Sequence, residues 1–108
     1  MLLFAAPATA GSVAATKLLA QVGPLTISLK TASGHRVKRL RAGRYRIVVR
    51  DRSRSRNFHL TGPAGGLNKK TGVRFVGVAV WTVRLRPGKY SYFSDTSPSG
   101  LSHSFVVR

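Results

Sequence analysis

Apolar and polar residues alternate along most of the chain after residue 15. In residues 44–50, the odd positions carry the apolar side chains of Tyr45, Ile47 and Val49. The even positions carry arginine, except at Val48. Successive side chains of a β-strand point to opposite faces, so this run predicts a strand with one face in the core and one in solvent. Its β-branched and aromatic residues favour the same conformation.

Similar patterns predict further strands, separated by turns that contain Gly or Pro. One strand should carry Leu25, Ile27 and Leu29 on its core face, and Arg-Pro-Gly-Lys at residues 86–89 fits a tight turn. No segment after residue 24 has a helical period. The predicted strands cover residues 25–29, 45–50, 57–60, 73–76, 79–85, 90–93 and 104–107. Seven to eight short strands in 108 residues predict a single all-β domain, a Greek-key β-sandwich.

Two segments of the chain are similar to each other. Residues 40–45 and 85–90 both read Leu-Arg-x-Gly-basic-Tyr. Each is interpreted as a turn followed by a strand that begins with a half-buried tyrosine. The spacing does not indicate a repeat of the solenoid kind.

The first residues have a different composition from the rest. Residues 1–12, MLLFAAPATAGS, are apolar and then small, which is typical of a secretory signal peptide, although the basic start is missing. The apolar run is shorter than the ~20 residues that a bilayer span requires. We expect residues 1–15 to be a signal-peptide-like or disordered segment. Residues 16–108 should form the domain, in an exported protein of the periplasm, cell envelope or extracellular space.

The charged residues exclude several kinds of chemistry. The chain has 19 Lys and Arg against two acids, Asp51 and Asp95, for a net charge of +17, and it has no cysteine. Thiolate metal sites, disulfides and cysteine nucleophiles are therefore excluded. Chemistry by paired carboxylates would require the two aspartates to meet, and no catalytic set is visible, so we expect no enzyme.

Ten of the basic residues fall between residues 36 and 56. Residues two apart on a strand share a face, so the arginines at even positions should form one solvent-facing stripe. The predicted anion-binding residues are Arg44, Arg46, Arg50, Arg52, Arg54 and Arg56. Anionic polymers or an anionic envelope surface are the expected partners. Sequence-specific nucleic-acid binding is not expected, because the aromatic residues are better explained as core. The alternative interpretation is a solvated basic surface without a partner.

Two blocks resemble a known family. They are N-F-H-L-T-G-P at residues 57–63 and W-T-V-x-L-x-P-G-x-Y at residues 81–90, and the resemblance extends over residues 16–107. In these features the chain is similar to bacterial cupredoxin domains, which are plastocyanin-like blue-copper proteins. The resemblance implies a cupredoxin-like Greek-key β-sandwich.

The copper ligands implied by this resemblance are substituted. The family holds copper with a His before the N-F-H-L block and with a Cys, a His and a Met near the last strand, a ligand set suited to one-electron copper chemistry. The equivalent positions here are Arg56, Ser94, Ser97 and Leu101. We therefore expect no cofactor and no metal site.

An alternative function remains open at this point. Copper-binding electron transfer would need a non-standard site, and the remaining candidate ligands are His35, His59 and His103. Two or three of these histidines would have to converge. Otherwise the chain is expected to be a copper-free binding or structural module.

Overall fold

The computed structural model describes residues 15–63, 66–96 and 101–108, and these residues form nine β-strands and no α-helix. The strands are β1 (Thr16–Val22), β2 (Ile27–Thr31), β3 (Arg39–Leu40), β4 (Gly43–Asp51), β5 (His59–Thr61), β6 (Asn68–Lys70), β7 (Gly77–Leu85), β8 (Gly88–Phe93) and β9 (Ser102–Val107). The predicted signal-peptide segment lies almost wholly outside the described residues.

The strands form two mixed sheets. Sheet A has the order β2-β1-β4-β7, and sheet B has the order β3-β9-β8-β5-β6. β1 runs parallel to β4 and β3 runs parallel to β9, whereas the other neighbours are antiparallel. The predicted all-β sandwich is confirmed.

Both sheets contribute their inward side chains to one core. In β4, the predicted core residues Tyr45, Ile47 and Val49 are all buried. Aromatic pairs fill the sheet B side, where the ring of Tyr92 stacks on Phe58 at a centroid distance of 5.4 Å. Tyr90 and Phe105 stack in the same way at 5.3 Å. The remaining buried apolar residues are Leu18, Ala20, Val22, Ile27, Leu29, Val37, Leu60, Val83, Leu85 and Val107.

Three details of the strand prediction are wrong. The described strands number nine rather than seven to eight, because β1 (seven residues) and the short β3 and β6 (two and three residues) are not among the predicted strands. Residues 73–76 are not a strand, and the N–H of Phe75 instead closes a turn onto the carbonyl of Gly72 at 3.0 Å. Leu25 is 80% exposed because it lies in the turn before β2, which begins only at Ile27.

The two similar segments adopt the same local structure. The hydroxyl of Tyr45 donates to the carbonyl of Arg41 at 2.7 Å, and the hydroxyl of Tyr90 donates to the carbonyl of Arg86 at 2.8 Å. In both cases a tyrosine at the start of a strand bonds back to the main chain four residues earlier, as in the tyrosine corner of other sandwiches. The sequence similarity therefore reflects one way of anchoring the turn before β4 and β8.

Candidate functional site

One end of the sandwich is held together by buried polar side chains. We call this end the loop pole, formed by residues 51–59, Thr71 and residues 94–96. Asn57 is 1% exposed, and its N–H donates to the hydroxyl of Ser94 at 3.1 Å. Its side-chain Nδ2 donates to the Thr71 carbonyl at 3.0 Å and to Oδ2 of Asp95 at 2.8 Å. The N–H of Asp95 donates back to Oδ1 of Asn57 at 2.7 Å. Asn57 thus connects three segments that are distant in sequence.

Asp51 is the buried carboxylate of the loop pole. It is 1% exposed and accepts hydrogen bonds from the Ser53 N–H at 3.0 Å and from the Thr71 hydroxyl at 3.1 Å. The same Thr71 oxygen accepts from the N–H of Phe58 at 2.9 Å. Burial raises the pKa of Asp51, and the hydrogen bonds from Ser53 and Thr71 only partly oppose this rise.

Asp95 is the second carboxylate of the same network. Its Oδ1 lies 2.8 Å from Nδ1 of His59, whose other ring nitrogen lies 2.5 Å from Oδ1 of Asn68. Partial burial alone would raise the pKa of Asp95. Hydrogen bonds from His59 and Asn57, with the charges of His59 and Lys70, outweigh burial and lower that pKa. The loop pole therefore contains both carboxylates of the chain, joined through Thr71 and Asn57.

The outer surface of sheet A is strongly basic, and we call it the basic face. Arg44, Arg46 and Arg50 are exposed along the outer side of β4, as predicted. The antiparallel register with β7 places Arg84 directly opposite Arg44, and the parallel register with β1 places Lys17 beside Arg46. The basic residues of this face are Lys17, Lys30, Arg44, Arg46, Arg50 and Arg84.

Three of these six residues are missing from the sequence prediction. Lys17, Lys30 and Arg84 are isolated in the sequence, and only the pairing of β1, β2 and β7 with their neighbours brings them onto the face. The alternation of apolar and polar residues in β7 does predict that Arg84 faces solvent. It does not predict which strand lies beside β7.

Beyond β4, the residues of the predicted arginine stripe differ in their exposure. Arg52 and Arg54 are exposed in the loop that follows β4. Arg56 is partly buried, and its guanidinium donates to the carbonyls of Pro24 at 3.2 Å and Thr96 at 2.9 Å. Arg56 therefore ties the loop pole to the β1–β2 turn, whereas the exposed arginines project into solvent.

Known proteins with a similar structure were found, although none with a similar sequence was. No protein-family model and no curated protein matches the chain. Reduced rusticyanin superposes with a TM-score of 0.61 and 17% identity, covering 85% of this chain and 78% of its own. Rusticyanin from Thiobacillus ferrooxidans gives 0.59 and 16%, covering 85% and 76%. The reduced Cu(I) form of an amicyanin mutant gives 0.55 and 16%, covering 92% and 89%. The chain has a cupredoxin-like fold.

In this cupredoxin-like domain, the positions that the sequence resemblance equates with copper ligands have side chains of other chemistry. Arg56 places a cation at the loop pole, and the hydroxyl of Ser94, 4% exposed, accepts the N–H of Asn57. Leu101 packs against the hydrophobic core. Ser97 lies outside the described residues. A guanidinium, a hydroxyl and an aliphatic side chain do not fit copper, which proteins bind with thiolate, imidazole or thioether groups.

The histidines also have separate partners. His35 lies in the turn after β2, where its Nδ1 is 3.0 Å from the hydroxyl of Ser33. His103 lies 2.8 Å from the guanidinium of Arg36, and burial together with that cation lowers the pKa of His103. Within residues 15–63, 66–96 and 101–108, no three His, Cys, Asp or Glu side chains group as metal ligands. Among the same residues, no helix has the length and apolar character that crossing a bilayer requires.

Proposed function

We propose that this cupredoxin-like domain is a copper-free, non-enzymatic binding module of an exported protein. Its basic face would attract anionic polymers or an anionic envelope surface. The observation that carries this proposal is that the cations of the basic face have no internal counter-charge. The single ion pair among the described residues joins His59 to Asp95, and Asp51 bonds only Ser53 and Thr71.

The register of sheet A places cations beside one another on neighbouring strands, so the lack of counter-charges destabilises the sheet. Arg44 lies directly opposite Arg84, and Arg46 lies beside Lys17. Like charges directly opposite on neighbouring strands destabilise a sheet. A phosphate, sulfate or carboxylate between them removes the repulsion, and the planar guanidinium can hold such an anion with two hydrogen bonds. The face therefore gains stability by binding external anions.

Heparin chromatography tests the anion-binding part of the proposal. The R44S/R46S/R50S/R84S variant removes four cations of the basic face. The control variant K69S/K70S/R74S/K89S removes the same charge from exposed positions of the described residues outside sheet A. Elution of the unmodified protein should require high salt, because binding of a polyanion releases counterions. The basic-face variant should elute at a much lower salt concentration than the control. Equal elution of the two variants would mean that only the net charge matters.

Copper binding tests the other part. After incubation with Cu(II) and gel filtration, metal analysis should find well below one copper per chain, and the visible spectrum should show no copper band. Tight stoichiometric copper would favour the alternative function, electron transfer through a non-standard site, and would overturn the copper-free proposal. Substituting His35, His59 and His103 one at a time would then locate the ligands.

A further inference from the structure

A row of aliphatic side chains crosses the basic face. The strand registers place Leu19 of β1 beside Val48 of β4, and Val48 opposite Val80 of β7. Leu19 is 37% exposed and Val80 is 48% exposed, while Val48 is half-buried. Val78, one outward position along β7, is 53% exposed. These side chains form an apolar surface that no described part of the chain covers.

Basic residues flank this row on both sides. Arg46 and Lys17 lie one outward position away toward one end of the sheet, and Arg50 lies one position away toward the other. Lys30 of β2 lies beside Leu19 within the row itself. The surface contains an open depression of about 320 Å³, lined by Leu19, Ala20, Gln21, Ser28, Lys30, Val48 and Arg50. The face therefore combines an aliphatic centre with a cationic border.

Several kinds of partner would match either the cations or the aliphatic row of this surface, but not both. A hydrophilic polyanion would satisfy the cations and gain nothing from the valines. Nucleic-acid surfaces usually provide aromatic rings for stacking, and none of the outward side chains on the described strands of sheet A is aromatic. A second copy of the chain would bring cations against cations, because each copy carries +17. Protein interfaces are usually enriched in aromatic anchors, and the described outward side chains of this face include none.

We propose that the basic face docks onto the surface of an anionic lipid bilayer. This inference rests on the proposed function and names its partner. An anionic bilayer combines phosphate groups with an apolar layer directly below them. The arginines and Lys17 would bind lipid phosphates while their aliphatic stems extend along the face. Leu19 and Val80 would then contact the boundary between headgroups and acyl chains, as apolar residues of peripheral membrane segments do.

The electrostatic attraction supplies most of the affinity in this arrangement. Each Lys or Arg close to an anionic bilayer contributes about fivefold in affinity. Six such residues on one face provide strong attraction, and the aliphatic row makes the binding depend on lipid rather than on charge alone. The two contributions can be separated because different residues make them.

Sedimentation with lipid vesicles tests the inference on the full chain. The vesicles contain equal parts of phosphatidylglycerol and phosphatidylcholine, and vesicles of phosphatidylcholine alone serve as the uncharged reference. The L19T/V80T variant makes the aliphatic row polar and keeps side chains that suit a strand. The matched control is L25T/V106T, which replaces one Leu and one Val that are 80% and 41% exposed outside the basic face. These three proteins and R44S/R46S/R50S/R84S are each tested with the vesicles and on heparin.

We expect the unmodified protein to bind the phosphatidylglycerol vesicles and to bind phosphatidylcholine vesicles far less. L19T/V80T should bind the anionic vesicles about tenfold more weakly than L25T/V106T, since it loses aliphatic area at the interface. Its elution from heparin should stay unchanged, and a circular dichroism spectrum like that of the unmodified protein should show that it is folded. R44S/R46S/R50S/R84S should lose both kinds of binding.

Two results would overturn the inference. If L19T/V80T binds anionic vesicles as tightly as its control, the aliphatic row makes no contact with lipid. If the unmodified protein binds heparin and not vesicles, the partner is a hydrophilic polyanion or an acidic protein, and the proposed function survives without the lipid. Failure to bind heparin as well would remove the proposed function itself.

Discussion

At the scale of single residues, three buried tyrosines differ in what their hydroxyls contact. Tyr45 and Tyr90 bond to main-chain carbonyls of the turns before their strands. The hydroxyl of Tyr92 is fully buried and has no hydrogen-bond partner among the described residues. Burial raises the pKa of Tyr92, and the nearby Arg36 and Leu29 main chain reduce that rise only in part. The same chemical group therefore has different energetic roles at the three positions.

Replacing each tyrosine by phenylalanine should expose this difference. Tyr45→Phe and Tyr90→Phe should each lower the free energy of unfolding by about 1 kcal/mol, because each removes a hydrogen bond to a main-chain carbonyl. Tyr92→Phe should cost less or stabilise the protein, because the Tyr92 hydroxyl makes no hydrogen bond of ordinary geometry among the described residues, although Arg36 and the Leu29 main chain lie near it. Urea denaturation of the three variants measures this, with unchanged m-values as the control for two-state unfolding. A loss for Tyr92→Phe as large as for the other two would contradict the expectation.

The two aspartates should give stability opposite dependences on pH. The pKa of Asp95 is lowered in the folded protein, so its stabilising contribution is present above the unfolded value of about 3.9 and is lost as the pH falls through the folded value. The pKa of Asp51 is raised, so the folded state binds its proton more tightly. Ionisation of Asp51 then removes stability as the pH rises through the folded value.

Single substitutions separate the two effects. Asp95→Asn should destabilise the protein at pH 7, and the difference from the unmodified protein should shrink as the pH falls below about 3.9. Asp51→Asn should compare more favourably with the unmodified protein at pH 7 than under those acidic conditions, because asparagine cannot take up the charge that the buried Asp51 gains as the pH rises. Thermal unfolding at both pH values measures each difference. Parallel behaviour of the two variants would show that the shifts do not have opposite signs.

At the scale of elements, the two tyrosine-corner turns differ in how closely the surroundings pack against the glycine that begins the strand. Gly43 begins β4 with φ 154° and Gly88 begins β8 with φ 146°. An added Cβ at Gly88 would lie 2.6 Å from Cγ of Pro63, whereas one at Gly43 would meet nothing within 4 Å. Both positions are strained for other residues, and only Gly88 is also closely packed.

Alanine substitutions should therefore be unequal. Gly43→Ala should cost about 1–3 kcal/mol from backbone strain. Gly88→Ala should cost about 1–3 kcal/mol more, because the methyl group forces β8 away from Pro63. The melting temperatures of the two variants measure the difference, and Gly43→Ala serves as the control for backbone strain alone. Equal losses would mean that Pro63 moves aside freely.

With the exception of β1, the strands with one buried face were predicted from the sequence, and the strands without one were not. β4 and β7 alternate because one side of each packs into the core. β6 gave no signal, since Asn68, Lys69 and Lys70 are all exposed and pair only through the main chain of β5. Leu25 misled the prediction because the alternation continues by chance into a turn. Periodicity reports burial, and it is silent where main-chain pairing alone forms the strand.

The sites show the same limit at longer range. The exposed arginines of β4 could be predicted, because their spacing alone determines which side they occupy. Their neighbours Lys17 and Arg84 depend on strand register, which tertiary packing determines. The loop pole depends on Thr71, a residue without a local pattern, which bonds both Asp51 and Asn57. Side-chain networks of this kind arise from the fold and have no signature in one sequence.

At the scale of the whole molecule, the cations of the basic face are separated from both carboxylates. Both carboxylates lie in the loop pole, while the cations of sheet A oppose one another across strands. Such a protein is destabilised by its own charge, in contrast to one stabilised by surface ion pairs. Salt screens charges over ~10 Å at 0.1 M and ~3 Å at 1 M, so added salt should reduce this repulsion.

The stability of the folded protein should therefore rise with salt, and the basic face should account for much of the rise. R44S/R46S/R50S/R84S should melt at a higher temperature than the unmodified protein at low ionic strength, because it removes the opposed pairs Arg44–Arg84 and Arg46–Lys17. The difference should nearly vanish at about 1 M NaCl, where screening removes the same repulsion. K69S/K70S/R74S/K89S removes equal charge, but Lys69 and Lys89 lie opposite the uncharged Leu60 and Val106, and Lys70 lies opposite His59, which is paired with Asp95. It should gain less. If both variants gain equally, the repulsion is spread over the whole surface and the register of sheet A has no special role.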